Sequence, residues 1–352
     1  MTGPAVVQAL RRRRPRAAGK SPLGPQTIAI GVLAVIAVAF PAFEGSDSFV
    51  MSTATEALVY GLAVVTLNLL VGYGGQISLG HAGFLAVGGY TAALLGTHVS
   101  GLPVPVEVLA AGAATAAVGF VLGLPTGRLR GHYLAILTLG FGLAVPQIAL
   151  NWSSVTEGRD GIVVPPPRIG GIIFVSPSDI YYFTLIVLAI CLVAIFSILA
   201  SSSGRAFTAV RDSEPAAAAM GINVNATKVV LFTTSAFFAG IAGDLNAHLQ
   251  GLVSPDSFPF SLSLFFFAAV VVGGLASVWG SLAGATVLAV IEAETSSSSG
   301  FEPVILGGAV VLLLLITPGG LADLSRRAAV ALGGWGRRRS SAGPEVGEAE
   351  RS

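Results

Sequence analysis

Runs of around 20 apolar residues follow one another along almost the whole chain, from Ile28 to residue 318, and this repetition restricts the fold more than any other feature. As a helix, one such run crosses roughly 30 Å of hydrocarbon. Only helices and closed barrels satisfy their backbone polar groups at that depth. Charged residues make up 11% of the 352 and hydrophobic ones 53%, against about 25% charged in an ordinary soluble domain, so no sizeable soluble domain fits. The sequence predicts an all-α, polytopic transmembrane helical bundle. Its spans read as 26–43, 53–72, 76–98, 104–124, 132–151, 179–201, 227–249, 260–276, 279–295 and 302–318, about ten in all.

The positions of the cations set the direction of threading. Arg11, Arg12, Arg13, Arg14, Arg16 and Lys20 precede the first apolar run, and Pro-Ala-Phe-Glu-Gly follows it where a signal peptide would have a small-residue cleavage site. The run reads as a retained helix with its basic flank in the cytoplasm. Ten crossings then place 125–131, 202–226 and 319–352 inside, and of the 19 Lys and Arg only Arg159 and Arg168 fall outside, as the positive-inside bias requires. One crossing fewer would put Arg326, Arg327, Arg337, Arg338 and Arg339 outside, which favours two spans, broken at 273–280, over one long span across 260–295. The organisation expected is a basic cytoplasmic segment 1–25, a transmembrane domain 26–322 and a disordered cytoplasmic tail 323–352, with both termini inside.

Two glycine-broken segments interrupt the spans, near 72–83 and 273–280. The first has glycines at 72, 74, 75, 80 and 83, and places Gln76, Ser78 and His81 where a membrane segment normally carries apolar side chains. Irregular backbone exposed to lipid is not viable, so this polar trio is expected to face a protein interior or a water-filled cavity, as candidates for the edge of a translocation path. The alternative is close helix packing through small residues. The two breaks stand where corresponding segments would lie in two halves of a repeated architecture.

Two loops differ in chemistry. Residues 152–179, with Thr156-Glu-Gly-Arg-Asp-Gly161 and Pro165-Pro166-Pro167, form a turn-rich external loop stiffened by proline. The cytoplasmic loop carries Arg205, Arg211, Asp212, Ser213, Glu214, Pro215, Ala217, Ala218 and Gly221. Asp212 and Ser213 suit a helix cap, Pro215 its first turn, the alanines its body and Gly221 its stop. A helix this short depends on packing against the membrane domain or another protein.

The four histidines, His81, His98, His132 and His248, lie far apart with no metal-ligand spacing, and Cys191 is alone, so no metal centre or disulfide is expected. No Gly-x-x-x-x-Gly-Lys-Ser/Thr loop occurs, so the chain is not expected to bind or hydrolyse ATP. No nucleic-acid partner is expected. Most acids fall near span ends, among them Glu56, Glu107, Glu292 and Glu294. Asp244, with Asn246 two residues on, is the main exception and leaves a secondary carrier or an intramembrane enzyme as alternatives.

The segment Leu67-Asn-Leu-Leu-Val-Gly-Tyr-Gly-Gly-Gln-Ile-Ser-Leu-Gly-His-Ala-Gly-Phe84 resembles the signature of LivM-type permeases of branched-chain amino acid ABC importers. Leu129 to Phe141, Thr156 to Gly161, Ala209 to Asn223, Ser254 to Phe258 and Val272 to Gly280 agree in the same order, so the resemblance covers roughly 55 to 322. It implies a permease subunit in the bacterial cytoplasmic (inner) membrane. The implied partners are a sister permease, two cytoplasmic ATPase subunits that hydrolyse ATP, an external substrate-binding protein and the lipid bilayer. It also implies that the loop 205–226 couples to an ATPase through a short helix. Against the Glu-Ala-Ala-x-x-x-Gly pattern of such loops, Pro215 stands where the glutamate would be, with Glu214 one place earlier. Asp244 departs from the small or apolar residue expected, and the run Ser296 to Ser299 replaces a more usual external loop. Branched-chain or related amino acids are the implied solutes, with urea, amides or a sugar as the alternative for this architecture.

Overall fold

The computed structural model describes residues 37–41, 48–99, 101–127, 132–169, 172–295, 307, 308 and 315. The expected segment 1–25 and tail 323–352 lie outside them, as do most of the expected spans 26–43 and 302–318. The chain divides into two units at Phe43, and of the first only a helical stretch at 37–41 is described. The remaining described residues belong to the second unit.

Its helices are α1 (Ser48–Asn68), α2 (His81–His98), α3 (Val104–Gly123), α4 (His132–Asn151), α5 (Pro177–Ala200), α6 (Ser202–Asp212), α7 (Glu214–Ala219), α8 (Val224–Gln250), α9 (Phe260–Gly273) and α10 (Val278–Thr295). Among the described residues, four two-residue strands form two small antiparallel pairs. β1 (Ile162–Val163) pairs with β4 (Leu252–Val253), and β2 (Arg168–Ile169) with β3 (Ile172–Ile173). The expected helical membrane bundle is present. Among the described residues six helices are long and apolar enough to cross a membrane, built on α1, α3, α4, α5, α8 and α9. Of the other four expected spans, 26–43 and 302–318 lie mostly outside the described residues, and α2 and α10, 18 residues each, are diluted by glycine and by terminal His or Glu residues.

Burial orders the helices. α1 carries apolar residues on every side, and Leu62, Ala63, Val64 and Leu67 are fully enclosed, as expected of a helix with no polar face that sits inside a bundle. α8 packs most extensively on α3 and α2. The approach is close because the contact is lined with small residues: a Cβ on Gly88 would strike the Gly240 backbone, and one on Gly243 the Leu85 carbonyl. Ile186, Ile190 and Val193 on α5 instead present an exposed apolar stripe, suited to lipid or to a partner helix.

Chain ends follow local chemistry. Ser176 and Asp179 form a capping box at the start of α5. α8 ends at Gly251 in the left-handed conformation, and the chain then enters β4, which ties the loop 152–176 to this end of α8.

Candidate functional site

The first glycine break is where three parts of the fold meet. α1 widens into a π-helical turn over Leu69–Tyr73. The Gln76 amide donates back to the Leu70 carbonyl at 3.1 Å. Gly75 then turns the chain with φ of 65°, a conformation that other residues reach only at a cost. Residues 74–80 are therefore not helical, and α2 begins at His81 where a span from 76 was expected. Two hydroxyls hold the irregular backbone: the Leu79 amide donates to Thr138 Oγ1 at 3.0 Å and the Ala82 amide to Ser263 Oγ at 3.0 Å.

The second break lies against the first. α9 stops at Gly273, Gly274 has φ of 107°, and Ala276 has φ of 56° before α10 begins. Asn68 joins the two. Its Nδ2 stands 3.2 Å from the Gly274 carbonyl, 3.1 Å from the Ser277 carbonyl and 2.6 Å from Ser281 Oγ, while its Oδ1 accepts from the Ala276 amide at 3.0 Å. A side chain on Gly72 would run into Asn68 and the Ala276 backbone. The positive φ of Ala276, costly for a residue with a Cβ, is thus held by a part-buried hydrogen bond.

The loop between α5 and α8 is the third part. α6 is capped by the Ser201 hydroxyl and buries Phe207 and Val210. In α7 the Ser213 hydroxyl accepts from the Ala216 amide, Pro215 stands in the first turn, and Gly221 follows with φ of 83°. The expected short helix is there, over Glu214–Ala219, one residue earlier at each end than the expected Pro215 to Met220. Arg211 Nη1 donates to the Gly72 carbonyl at 2.8 Å, an end carbonyl of the π-turn that a charged donor satisfies well. Glu214 Oε1 lies 2.6 Å from Lys228 Nζ, and the Lys228 side chain is 5% exposed. Removing Glu214 would leave the Lys228 ammonium buried without this partner.

Beside these contacts lies an open cleft of about 370 Å³ walled by Gln76, Ile77, Arg211, Glu214, Pro215 and Lys228. Gln76 and the loop residues Arg211, Asp212, Glu214 and Pro215, read from the sequence as separate candidates, therefore border one space. Gln76 is 5% exposed and neither of its amide atoms has a hydrogen-bond partner among the described residues. Ser78 and His81 lie deeper, both fully buried. Ser78 Oγ has no hydrogen-bond partner among the described residues. His81 Nε2 is 2.8 Å from Thr66 Oγ1, with its ring edge-on to Phe84 and Phe266. Arg205 stands apart, its guanidinium donating to the Ala200 carbonyl. On α7, Ala217 is buried and Ala218 exposed.

Sequence reasoning missed Asn68, Thr66, Thr138 and Ser263 as fasteners. The available signal was their polarity inside apolar runs. It also left Glu107, Asp244 and His248 apart, and the structure brings them within reach of one another.

Residues 49–317 match the family described as branched-chain amino acid transport system, permease component. The chain is 38% identical over 289 residues to the high-affinity branched-chain amino acid transport system permease protein LivM of Salmonella typhimurium, covering 75% of this chain and 67% of that one. The LivM protein of Escherichia coli matches to the same extent. The autoinducer 2 import system permease protein LsrC of Salmonella typhi is 26% identical over 266 residues, 72% of each chain. No solved structure matches.

Proposed function

This chain belongs to the family of branched-chain amino acid transport permease components, and from that premise we propose how its parts serve an ATP-driven importer. It is a membrane protein and the permease component of such a transporter. In our reading it lies in the bacterial inner membrane with both termini cytoplasmic and about ten crossings, and lines the path together with a sister permease. An external binding protein delivers the solute. Two cytoplasmic ATPases hydrolyse ATP, and this chain binds no nucleotide itself.

The observation that carries the reading is the hydrogen bond from Arg211 to the Gly72 carbonyl. It joins the loop that would seat α7 on an ATPase to the break that would border the path, so movement of the loop pulls on residues 72–76 directly. Gln76, Ser78 and His81 are the proposed path residues. Arg205, Arg211, Asp212, Glu214, Pro215, Ala217, Ala218 and Gly221 form the proposed coupling loop. Uptake of labelled leucine, isoleucine, valine and urea, in cells with and without this chain, tests the function. Loss of the three amino acids with urea unaffected is expected. Loss of urea alone would favour the second reading, the same architecture carrying urea, an amide or a sugar, which gains support from the relative named for import of autoinducer 2.

The path assignment has its own test. Ser78→Leu is expected to lower uptake more than it lowers the amount of protein, because added bulk and a lost hydroxyl act on the path. A purely packing role predicts the reverse order, since overpacking costs about 1–3 kcal/mol and reduces assembled protein first. Orientation is checked with Cys191 replaced by alanine. Asp160→Cys, at an exposed position, should react with a membrane-impermeant thiol reagent in intact cells, and Ser340→Cys should not. Labelling at 340 would remove one crossing from the proposed count.

A further inference from the structure

We propose that Glu107, Asp244 and His248 form a binding site for one divalent transition-metal ion of the zinc class. Glu107 comes from the first turn of α3, while Asp244 and His248, one turn apart, come from the last turns of α8. Residues at i and i+4 share a helix face, so α8 turns both toward α3. One donor atom from each of the three lies within 4.8 Å of the others. His248 Nε2 is 3.4 Å from Glu107 Oε1. These separations need only small side-chain rotations to close around an ion.

Burial demands a counter-charge. The three residues are 3%, 0% and 5% exposed. Neither carboxylate oxygen of Asp244 has a hydrogen-bond partner among the described residues, and neither Asp244 nor Glu107 is ion-paired there with a lysine or arginine. Buried carboxylates take up a proton, are paired or coordinate metals. Two of them facing a single imidazole leave an excess of negative charge that one protonated ring does not cancel. A divalent cation bound to both carboxylates and a neutral imidazole does cancel it.

The donor set selects the ion. The imidazole nitrogen favours an ion of the zinc class over calcium or magnesium, and three protein ligands leave a fourth position for water. Calcium takes 6–8 oxygens and magnesium prefers all-oxygen octahedra. The surroundings fit as well. The Pro165 carbonyl stands beside the His248 ring, the kind of backbone group that orients a ligating imidazole. Phe183 lies edge-on to the same ring at 6.2 Å. Glu107 also walls a cavity of about 140 Å³ shared with Gly96, Pro165 and Arg168, which supplies an entry path. A bound ion would fasten the start of α3 to the end of α8, beside the β1–β4 pair. This departs from the reading of histidine spacing, which sees one helix at a time, and it stands independently of the transport assignment.

The test uses the full chain in detergent, freed of any affinity tag and stripped with a chelator. After equilibration with equimolar zinc and dialysis, about one zinc per chain should remain by elemental analysis. The unfolding temperature should rise with zinc and fall again with chelator. Asp244→Asn and His248→Gln should each bind at least about tenfold more weakly. Cobalt added to the unsubstituted chain should give the intense visible bands of a four-coordinate ion, a readout that does not depend on any variant folding. If the chain takes up neither zinc nor cobalt, or if a chain with both substitutions holds zinc as tightly, the cluster is not a metal site and the proposal is wrong.

Discussion

Ala218→Arg is expected to abolish uptake of branched-chain amino acids while the chain stays in the membrane at near its normal amount. α7 turns Ala217 into its own protein and leaves Ala218 and the 83% exposed Met220 outward. The substitution therefore disturbs no contact within the chain. At a docked surface it places a long cation among groups that must lose water, at a cost on the order of 2–5 kcal/mol for an unpaired buried charge. That is a loss of roughly 30-fold or more in docking. Ala217→Arg should behave differently and lower the amount of protein, because it overfills an interior position. Labelled leucine uptake measured beside the membrane level of each variant separates the two. Wild-type uptake by abundant Ala218→Arg protein would remove α7 as the ATPase contact.

Asn68→Leu is expected to be among the most destabilising single changes in the bundle, by about 2–4 kcal/mol. It leaves the Ala276 amide and the Gly274 and Ser277 carbonyls without the partner that Asn68 provides. The bond to the Gly274 carbonyl is buried and the other two are part-buried. Ala276 also loses the bond that holds its φ of 56°. Thermal unfolding in detergent measures the effect. Ala276→Gly should act in the opposite sense, raising stability by up to about 1 kcal/mol, because glycine takes a positive φ without strain. An Asn68→Leu protein that unfolds at the wild-type temperature would mean the two breaks hold their shape independently.

What the sequence reveals depends on how local the cause is. α7 is legible residue by residue, since a capping serine, a first-turn proline and a terminal glycine act within one or two turns. α6 is not anticipated, although Phe207 and Val210 already carry its buried face. The glycine breaks are visible in the sequence. That one is stitched to the other is not, because Asn68 and Ala276 meet only after α9 and α10 have packed on α1. Gln76 and His81 illustrate the same limit at the site. Both are polar residues in an apolar setting, yet one borders a cleft and the other is enclosed between Thr66 and two aromatic rings. Composition and spacing treat them alike. The meeting of Glu107 with Asp244 and His248 is long-range for the same reason.

α8 is an uninterrupted rod. Its 27 residues contain no proline and extend about 40 Å. One end is ion-paired through Lys228 to Glu214, the first residue of α7, and the other runs into β4, paired with β1. A tilt at either tip must therefore show at the opposite tip, as in a see-saw pivoting on the glycine contact with α2. Reciprocity follows: whatever factor an occupant of the β1–β4 surface adds to the affinity at α7, an occupant of α7 returns to that surface unchanged.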